Sequence, residues 1–351
     1  MAVNPESGPR ARRMAEATTS PIFDRRLTSS ATAADRIVDG IAVPSAGSAT
    51  VTIDGRSIAL TNLDRVLYPE TGFTKAESIA YHLAIAGTLL SHLRDRALTV
   101  GRFPGGVDGR GFAQTEIPGR PPWIRSTPIM LAKGEEKRFT LADDRASLVW
   151  LAQMGSIELH SFLAPATDLE RPSCVVLDLD PTPPAGLLDA ARVSLLVRDA
   201  LATRGLVGFA KTSGSVGIHV VVPLDGDVTY ADTRAVATAL AQQLATSHPD
   251  HVSARLERAG RAGKVLVDAR QNSRRLTMVA AYSLRSTPRP FVSTPVTWEE
   301  LEAAVRDESV ASLVFEPGNV LGRVERHGDL FAPVLRLRQQ LPAEAVDRSE
   351  K

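Results

Sequence analysis

The order of elements predicts an α+β fold, with helices on one face of a sheet and a smaller N-terminal αβ module ahead of it. Three observations carry this. The run SCVVLDLD at 173–180 is almost wholly apolar until its end, is stopped by Pro181, and has the length of a buried central strand. Two long segments with helical spacing, GLLDAARVSLLVRDALATRG and YADTRAVATALAQQLATSH, alternate with the short strands IHVVVPL and KVLVDA. The chain has 351 residues, which at roughly 150 per domain provides for about two modules.

Taken in order, residues 1–47 are rich in Ala, Ser, Thr, Pro and Arg without sustained periodicity, and are expected to form a disordered leader. An N-terminal module is expected over 48–155, a palm over 156–300, a C-terminal extension over 301–340 and a tail over 341–351. The module opens with the strands ATVTIDG and RSIALTN. Thr74 followed by Glu77 has the spacing of a capping box, and Ile79, Leu83, Ala86 and Leu90 continue one helical face. ALTVGRF is a strand, GGVDGRG a turn and PGRPPWIRS a proline-broken connector. ASLVWLAQMGSIEL is expected to be helical, leaving His160 at the helix exit. In the palm, KTSGSVG is a glycine-rich turn and TMVAAYSLR a strand. WEELEAAV and 333–340 are expected to be helices. This β-α-β-β progression is that of an RRM-like palm.

Composition excludes several classes. A single cysteine, Cys174, rules out a disulfide framework and any Cys-rich zinc module, and inside an apolar strand it is expected to be an inert buried thiol. No stretch reaches the roughly 18–20 consecutive apolar residues of a membrane span. The N-terminus lacks the apolar core of a secretory signal, so an intracellular, cytoplasmic protein is the default expectation. Forty-one basic residues against 40 acidic ones give a net charge of +1, but the charge is unevenly spread. Between His251 and Pro290, nine basic residues face only Glu257 and Asp268, a local +7. Such a segment is either a solvated basic face or the footprint of a phosphate-bearing partner.

The sharpest chemical signal is Asp178 and Asp180. At i and i+2 near the end of an apolar strand they project from one face, roughly 6–7 Å apart along the backbone. Two such carboxylates repel and raise each other's pKa unless a cation neutralises them, and oxygen-only ligands favour Mg²⁺ or Mn²⁺. Asp268 ends KVLVD in the same way. If its strand lies beside the first, the three carboxylates converge, and such a triad can hold two cations about 3.5–4 Å apart for an in-line displacement at phosphorus. In the turn Lys211–Gly217, Gly214 and Gly217 allow backbone amides to approach an anion, with Ser213 and His219 as further donors. A plain hairpin turn is the alternative. His160, Arg261 and Arg285 are candidate phosphate contacts.

Taken together, these motifs resemble the primase-polymerase domain of the bacterial ATP-dependent DNA ligase D of non-homologous end joining, within the archaeo-eukaryotic primase superfamily. The blocks LTNLDRVLYPETGFTK, RFPGGVDGRGF, LAQMGSIELH, VVLDLDP, KTSGSVGIHVVVPL, RAGKVLVDARQNSRRLT, AYSLR and VSTPVTWEEL occur in order from about Leu60 to Glu300. No ligase-type adenylation motif follows, so the chain resembles the stand-alone mycobacterial homologues. The resemblance implies that Asp178, Asp180 and Asp268 bind two divalent ions, Mn²⁺ or Mg²⁺. It implies that His160, Ser213, His219 and Arg285 hold the incoming NTP or dNTP, with Lys211 and Arg261 at the same site. Phe112 matches a base-stacking aromatic, and Asn62, Arg65 and Lys75 match the residues that recognise a downstream 5′-phosphate. Arg65 replaces the usual lysine, Ala113 a second phenylalanine and Thr115 a lysine, which changes how ends would be gripped.

The expected activity is therefore templated addition of nucleotides, preferably ribonucleotides, to a primer 3′-hydroxyl at gaps or ends in DNA. Gapped DNA and nucleoside triphosphates are the expected partners, together with other DNA-repair proteins and no membrane. Two alternatives stand beside this reading. VVLDLDPT also matches the Asp-x-Asp-x-Thr of haloacid-dehalogenase-type phosphohydrolases, in which the first Asp is a nucleophile, although that fold wants the motif on its first strand. A non-catalytic DNA-end-binding module is the other.

Overall fold

The computed structural model describes residues 36–130, 134–257 and 259–342. They divide into two compact units. The first holds the chain up to His160 with Tyr282–Val292 and Glu316–Arg326; the second holds Ser161–Ala281, Ser293–Phe315 and the chain from His327 onward. The expected division was different. The segment 282–292 leaves the palm's sequence range to join the first unit, and 301–340 is shared between the units instead of forming one extension.

In the first unit β1 (Arg36–Val38) and β2 (Ile41–Val43) form a hairpin, as do β3 (Ala49–Ile53) and β4 (Arg56–Leu60). Both turn on Asp-Gly: Asp39 and Gly40 have φ of 49° and 75°, Asp54 and Gly55 49° and 73°. Two positive φ values in a two-residue loop match the right-handed twist of the flanking strands, and Asp-Gly tolerates them best. The leader expected over 1–47 thus contains an ordered hairpin, and 1–35 lies outside the described residues.

β5 (Val66–Tyr68) and β6 (Phe73–Thr74) lead into α1 (Lys75–Leu93), whose capping box is formed as expected, with Thr74 accepting from the Glu77 amide and Glu77 from the Thr74 amide. β7 (Ala97–Arg102), β8 (Phe112–Gln114), β9 (Ser126–Met130) and β10 (Glu136–Leu141) follow. α2 (Arg145–Gln153), capped by Asp144, packs against α1. The expected helix through SIEL stops short. Gly155 takes a left-handed φ of 75°, the usual helix-terminating conformation, and β11 (Ser156–Phe162) follows. His160 therefore stands in a strand, not at a helix exit. The strand order is β11-β7-β10-β9, with β8 on β7.

The second unit is built on β12 (Cys174–Pro181), in which every residue but Asp180 is buried. α3 (Leu187–Ala202), β13 (Phe209–Thr212), β14 (Ile218–Pro223), α4 (Tyr230–Ser247), β15 (Val252–Ser253), β16 (Val265–Asp268), β17 (Thr277–Val279) and β18 (Pro295–Val296) follow. The strand expected over TMVAAYSLR is regular only in β17. The sheet order β15-β16-β12-β14-β13-β18 puts β12 between β14 and β16, antiparallel to both. α3 and α4 both pack on β12 and on each other, so they cover one face, as the palm requires. α5 (Trp298–Arg306), α6 (Pro317–His327) and α7 (Ala332–Arg336) complete the chain; the last helix is shorter than the 333–340 expected. The tail from 343 lies outside the described residues.

Candidate active site

The three aspartates lie in the second unit. Sheet register puts Asp178 directly opposite Asp268, and two residues further along β12 the Asp180 carboxyl stands at the strand end. Asp178 and Asp268 are buried. The Asp180 carboxyl is pushed up to about 7, first by the charge on Asp178, then by desolvation and by Asp268, with Arg261 and Arg270 pulling the other way. This is the like-charge repulsion expected from the sequence. Asp178 accepts from Gln271 Nε2 at 3.2 Å and stands 3.2 Å from His219 Nε2; Asp268 accepts from the Arg270 amide at 2.8 Å and from its guanidinium. Among the described residues no three His, Cys, Asp or Glu side chains already converge as a finished cation site. The donor set nevertheless fits a hard divalent ion. It is all oxygen, and its mutual repulsion is what a bound cation relieves.

Beside it stands the turn after β13. Gly214 takes φ of 72°, and a Cβ on Gly217 would lie 2.7 Å from the Leu179 carbonyl, so only glycine lets the turn approach the end of β12. The Ser213 hydroxyl oxygen accepts from the Ser215 and Gly217 amides at 3.2 and 3.1 Å. Those amides, expected to meet an anion, are thus engaged within the turn. Lys211 is likewise not a surface contact. It is 2 % exposed, with Nζ 2.8 Å from His219 Nδ1 and donating to Ser293 Oγ at 2.7 Å. A lysine ammonium only donates, so His219 Nδ1 accepts and its proton sits on Nε2, toward Asp178. Lys211 therefore orients His219. The Arg261 Nε is buried with no hydrogen-bond partner among the described residues.

Two further clusters belong to the first unit. On β11, Glu158 is buried; its Oε2 accepts from His160 Nε2 at 2.8 Å and its Oε1 from Arg285 Nε at 3.1 Å. The Ser286 amide and hydroxyl donate to the same Oε1 at 2.9 and 2.7 Å. Burial works to raise the Glu158 carboxyl, but the charge on Arg285 and the hydrogen bonds from His160 and Ser286 hold it well below the usual carboxylate range. Sequence reasoning missed Glu158. Its signal, an i/i+2 spacing with His160 on one strand face, was hidden by the helical assignment.

The second cluster lines a cavity of about 200 Å³ that includes Thr61, Arg65, Lys75, Arg102, Gln153 and Gly155. Lys75 is buried and donates to the Thr61 carbonyl at 2.8 Å; burial, then the charge on Arg65, brings its ammonium down to about 8. Arg65 donates to the Pro104 carbonyl at 2.7 Å. Asn62 does not line the cavity. It holds the preceding turn at φ of 51°, a left-handed conformation asparagine tolerates, and its carbonyl accepts from the Arg65 amide. Arg102 and Gln153 were not foreseen. Phe112 is 40 % exposed on β8, with the Arg102 guanidinium 5.4 Å from its ring centre; Ala113 follows it on the same strand.

The family profile of the LigD primase-polymerase domain matches residues 74–331. The chain belongs to the LigD primase-polymerase domain family. It is 36% identical over 283 residues to the multifunctional non-homologous end joining DNA repair protein LigD of Mycobacterium tuberculosis, covering 78% of this chain and 36% of that protein. It is 35% identical over 287 residues to the LigD of Pseudomonas aeruginosa, covering 80% of this chain and 33% of that one. The chain thus spans about a third of the length of these relatives. Among solved structures, the polymerase domain of Mycobacterium tuberculosis ligase D in complex with DNA aligns with a TM-score of 0.74 and 33% identity, over 80% of this chain and 99% of that one. The LigD primase-polymerase domain family is one of DNA-directed nucleotidyltransferases, and its archaeo-eukaryotic primase fold is the one observed. The phosphohydrolase alternative for VVLDLDPT falls with this assignment. Within the family match lie Lys75, Phe112, the aspartates and the His160 and Arg285 pair; Asn62 and Arg65 precede it. Among the described residues no helix is long and apolar enough to cross a membrane.

Proposed function

We propose that the chain is a DNA-templated nucleotidyltransferase that extends a primer 3′-hydroxyl at gaps or ends during end-joining repair in the bacterial cytoplasm, preferring ribonucleotides and recognising the downstream 5′-phosphate. One observation carries this: two aspartates paired across β12 and β16 with a third, strongly repelled carboxyl at the strand end. Asp178, Asp180 and Asp268 would hold two divalent ions, Mn²⁺ or Mg²⁺. Such ions supply activation of the attacking hydroxyl and neutralisation of the departing pyrophosphate. His219, its tautomer set by Lys211, presents an N–H toward Asp178 and keeps that carboxylate oriented. Ser213 braces the turn that closes on the end of β12. In the first unit, His160 and Arg285 are assigned to the triphosphate of the incoming nucleotide, with Phe112 stacking on a base. Lys75 and Arg65 in their cavity are assigned to the 5′-phosphate, which two closely spaced cations in a partly desolvated pocket suit.

The test is extension of a labelled primer on gapped, overhanging and unprimed templates, with NTPs against dNTPs and with Mn²⁺ against Mg²⁺. The expected result is templated addition that is strongest at a gap bearing a 5′-phosphate and with ribonucleotides. DNA binding without any nucleotide transfer in either metal would leave a binding module and overturn the proposal.

A further inference from the structure

We propose that Glu158 is a positioning residue for nucleotide binding, a buried carboxylate that holds His160 and Arg285 as one preset clamp for the triphosphate. This rests on the assignment of those two side chains to the incoming nucleotide.

Glu158 is 4 % exposed, and both its oxygens are engaged: Oε2 by His160, Oε1 by Arg285 and twice by Ser286. The side chains it holds are less enclosed, His160 at 24% and Arg285 at 21% exposure. The anion is thus sealed inside while the two side chains that donate to it reach the surface. Because a carboxylate only accepts, Nε2 is the His160 nitrogen that carries hydrogen toward Glu158, which fixes the ring plane and leaves Nδ1 on its far side. Arg285 is taken by Nε, so its guanidinium plane is set from the inner edge. Donors whose orientation is fixed in advance lose less entropy when they capture a phosphate.

A second observation points the same way. Gly101, in the interior of β7 beside β11, has no left-handed φ to explain it. A Cβ there would stand 3.0 Å from Glu158 Cβ and 3.4 Å from both Cγ and Oε2. Glycine inside a strand weakens it and marks a close approach. Here the approaching group is the Glu158 side chain, and the missing Cβ is its seat.

The experiment uses the full chain and measures nucleotide KM and kcat on a gapped primer, DNA affinity by anisotropy and melting temperature for Glu158→Gln, Glu158→Asp and Gly101→Ala. Glutamine keeps the shape but not the charge that orders both donors. It should raise the nucleotide KM about tenfold, with kcat within about threefold and DNA affinity unchanged. Aspartate, which keeps the charge, should recover part of that loss, and Gly101→Ala should raise KM about threefold by displacing Glu158. A wild-type KM in Glu158→Gln, or a loss confined to kcat or shared equally by DNA affinity, overturns the proposal and leaves the polymerase assignment standing. If glutamine does not fold, a wild-type KM in Glu158→Asp overturns it equally. A wild-type chain that transfers no nucleotide overturns the polymerase assignment and this proposal with it.

Discussion

Strands β11 and β12 each carry two polar side chains at i and i+2 on one face, yet they end in opposite electrostatic states. On β12 the pair is Asp178 and Asp180, like charges that push one carboxyl up to about 7. On β11 it is Glu158 and His160, joined at 2.8 Å and completed by Arg285, which leaves the carboxyl well below its usual range. The same backbone geometry therefore yields one site of mutually repelling carboxylates and one in which the carboxylate is already balanced. The first is the kind of site that a cation from solution would relieve. The second spends its carboxylate internally and turns basic groups outward.

This difference has consequences that can be measured. The largest concerns β12: Asp178→Ala should lower primer extension by roughly 10³-fold, the scale of removing a principal electrostatic stabiliser, with DNA affinity little changed. Extension at a normal rate would remove the aspartates from the chemistry. Glu158→Gln should cost about 2 kcal/mol of stability at pH 7, because charge-assisted hydrogen bonds are lost. The folded Glu158 carboxyl lies well below its ordinary value of 4.5, so its contribution is full above that pH and is lost as pH falls. Urea melts at pH 7 and pH 3 should show the gap between variant and wild type closing in acid.

Lys75 gives a third test. Its ammonium, at about 8, loses its charge as pH rises, so the preference for 5′-phosphorylated over 5′-hydroxyl gapped DNA should fall about fivefold between pH 7 and pH 9. Lys75→Met should show a weaker preference at pH 7 and no such slope. The smallest effect reverses the sign seen for Glu158. The folded Asp180 carboxyl, at about 7, lies above its ordinary value of 3.8, so the contribution of its protonated form is full below 3.8 and lost as pH rises through 7. In chelator-treated protein Asp180→Asn should therefore be more stable than wild type at pH 8, by about 0.5 kcal/mol after allowing for the exposure of this residue, and no more stable at pH 4. Added Mn²⁺ should favour the wild type.

The two strands also differ in how legible they were. VVLDLD announces itself because an unbroken apolar run flanked by a proline admits only a buried strand, and its alternation puts both carboxylates on one face. SIELHSF has the same alternation but follows directly on the helical ASLVWLAQM, and nothing local separates the two except Gly155. The glycine's left-handed φ ends the helix. Read as helix, Glu158 and His160 fall on different faces and the pair disappears. The leader shows a similar loss: VDGIAV carries the same Asp-Gly turn signal as TIDGRS, but its strands are only three residues long and sit in a low-complexity context. Phosphate-cradle reasoning about KTSGSVG foresaw the glycines but not that Ser213 would take up the turn's own amides.

What the sequence by itself determined is what depends on neighbours along the chain: the Thr74–Glu77 capping box, the β12 strand, the i/i+2 aspartates and the ordered blocks that mark the family. What only the tertiary structure decided depends on partners far apart in the chain. Asp268 meets Asp178 across a strand pair 90 residues apart in number. Lys211 orients His219 from the neighbouring strand and is buried in doing so. Arg285 returns from far downstream to close on Glu158. Charge, burial and hydrogen-bond direction are properties of such assembled pairs, and local pattern does not hold them.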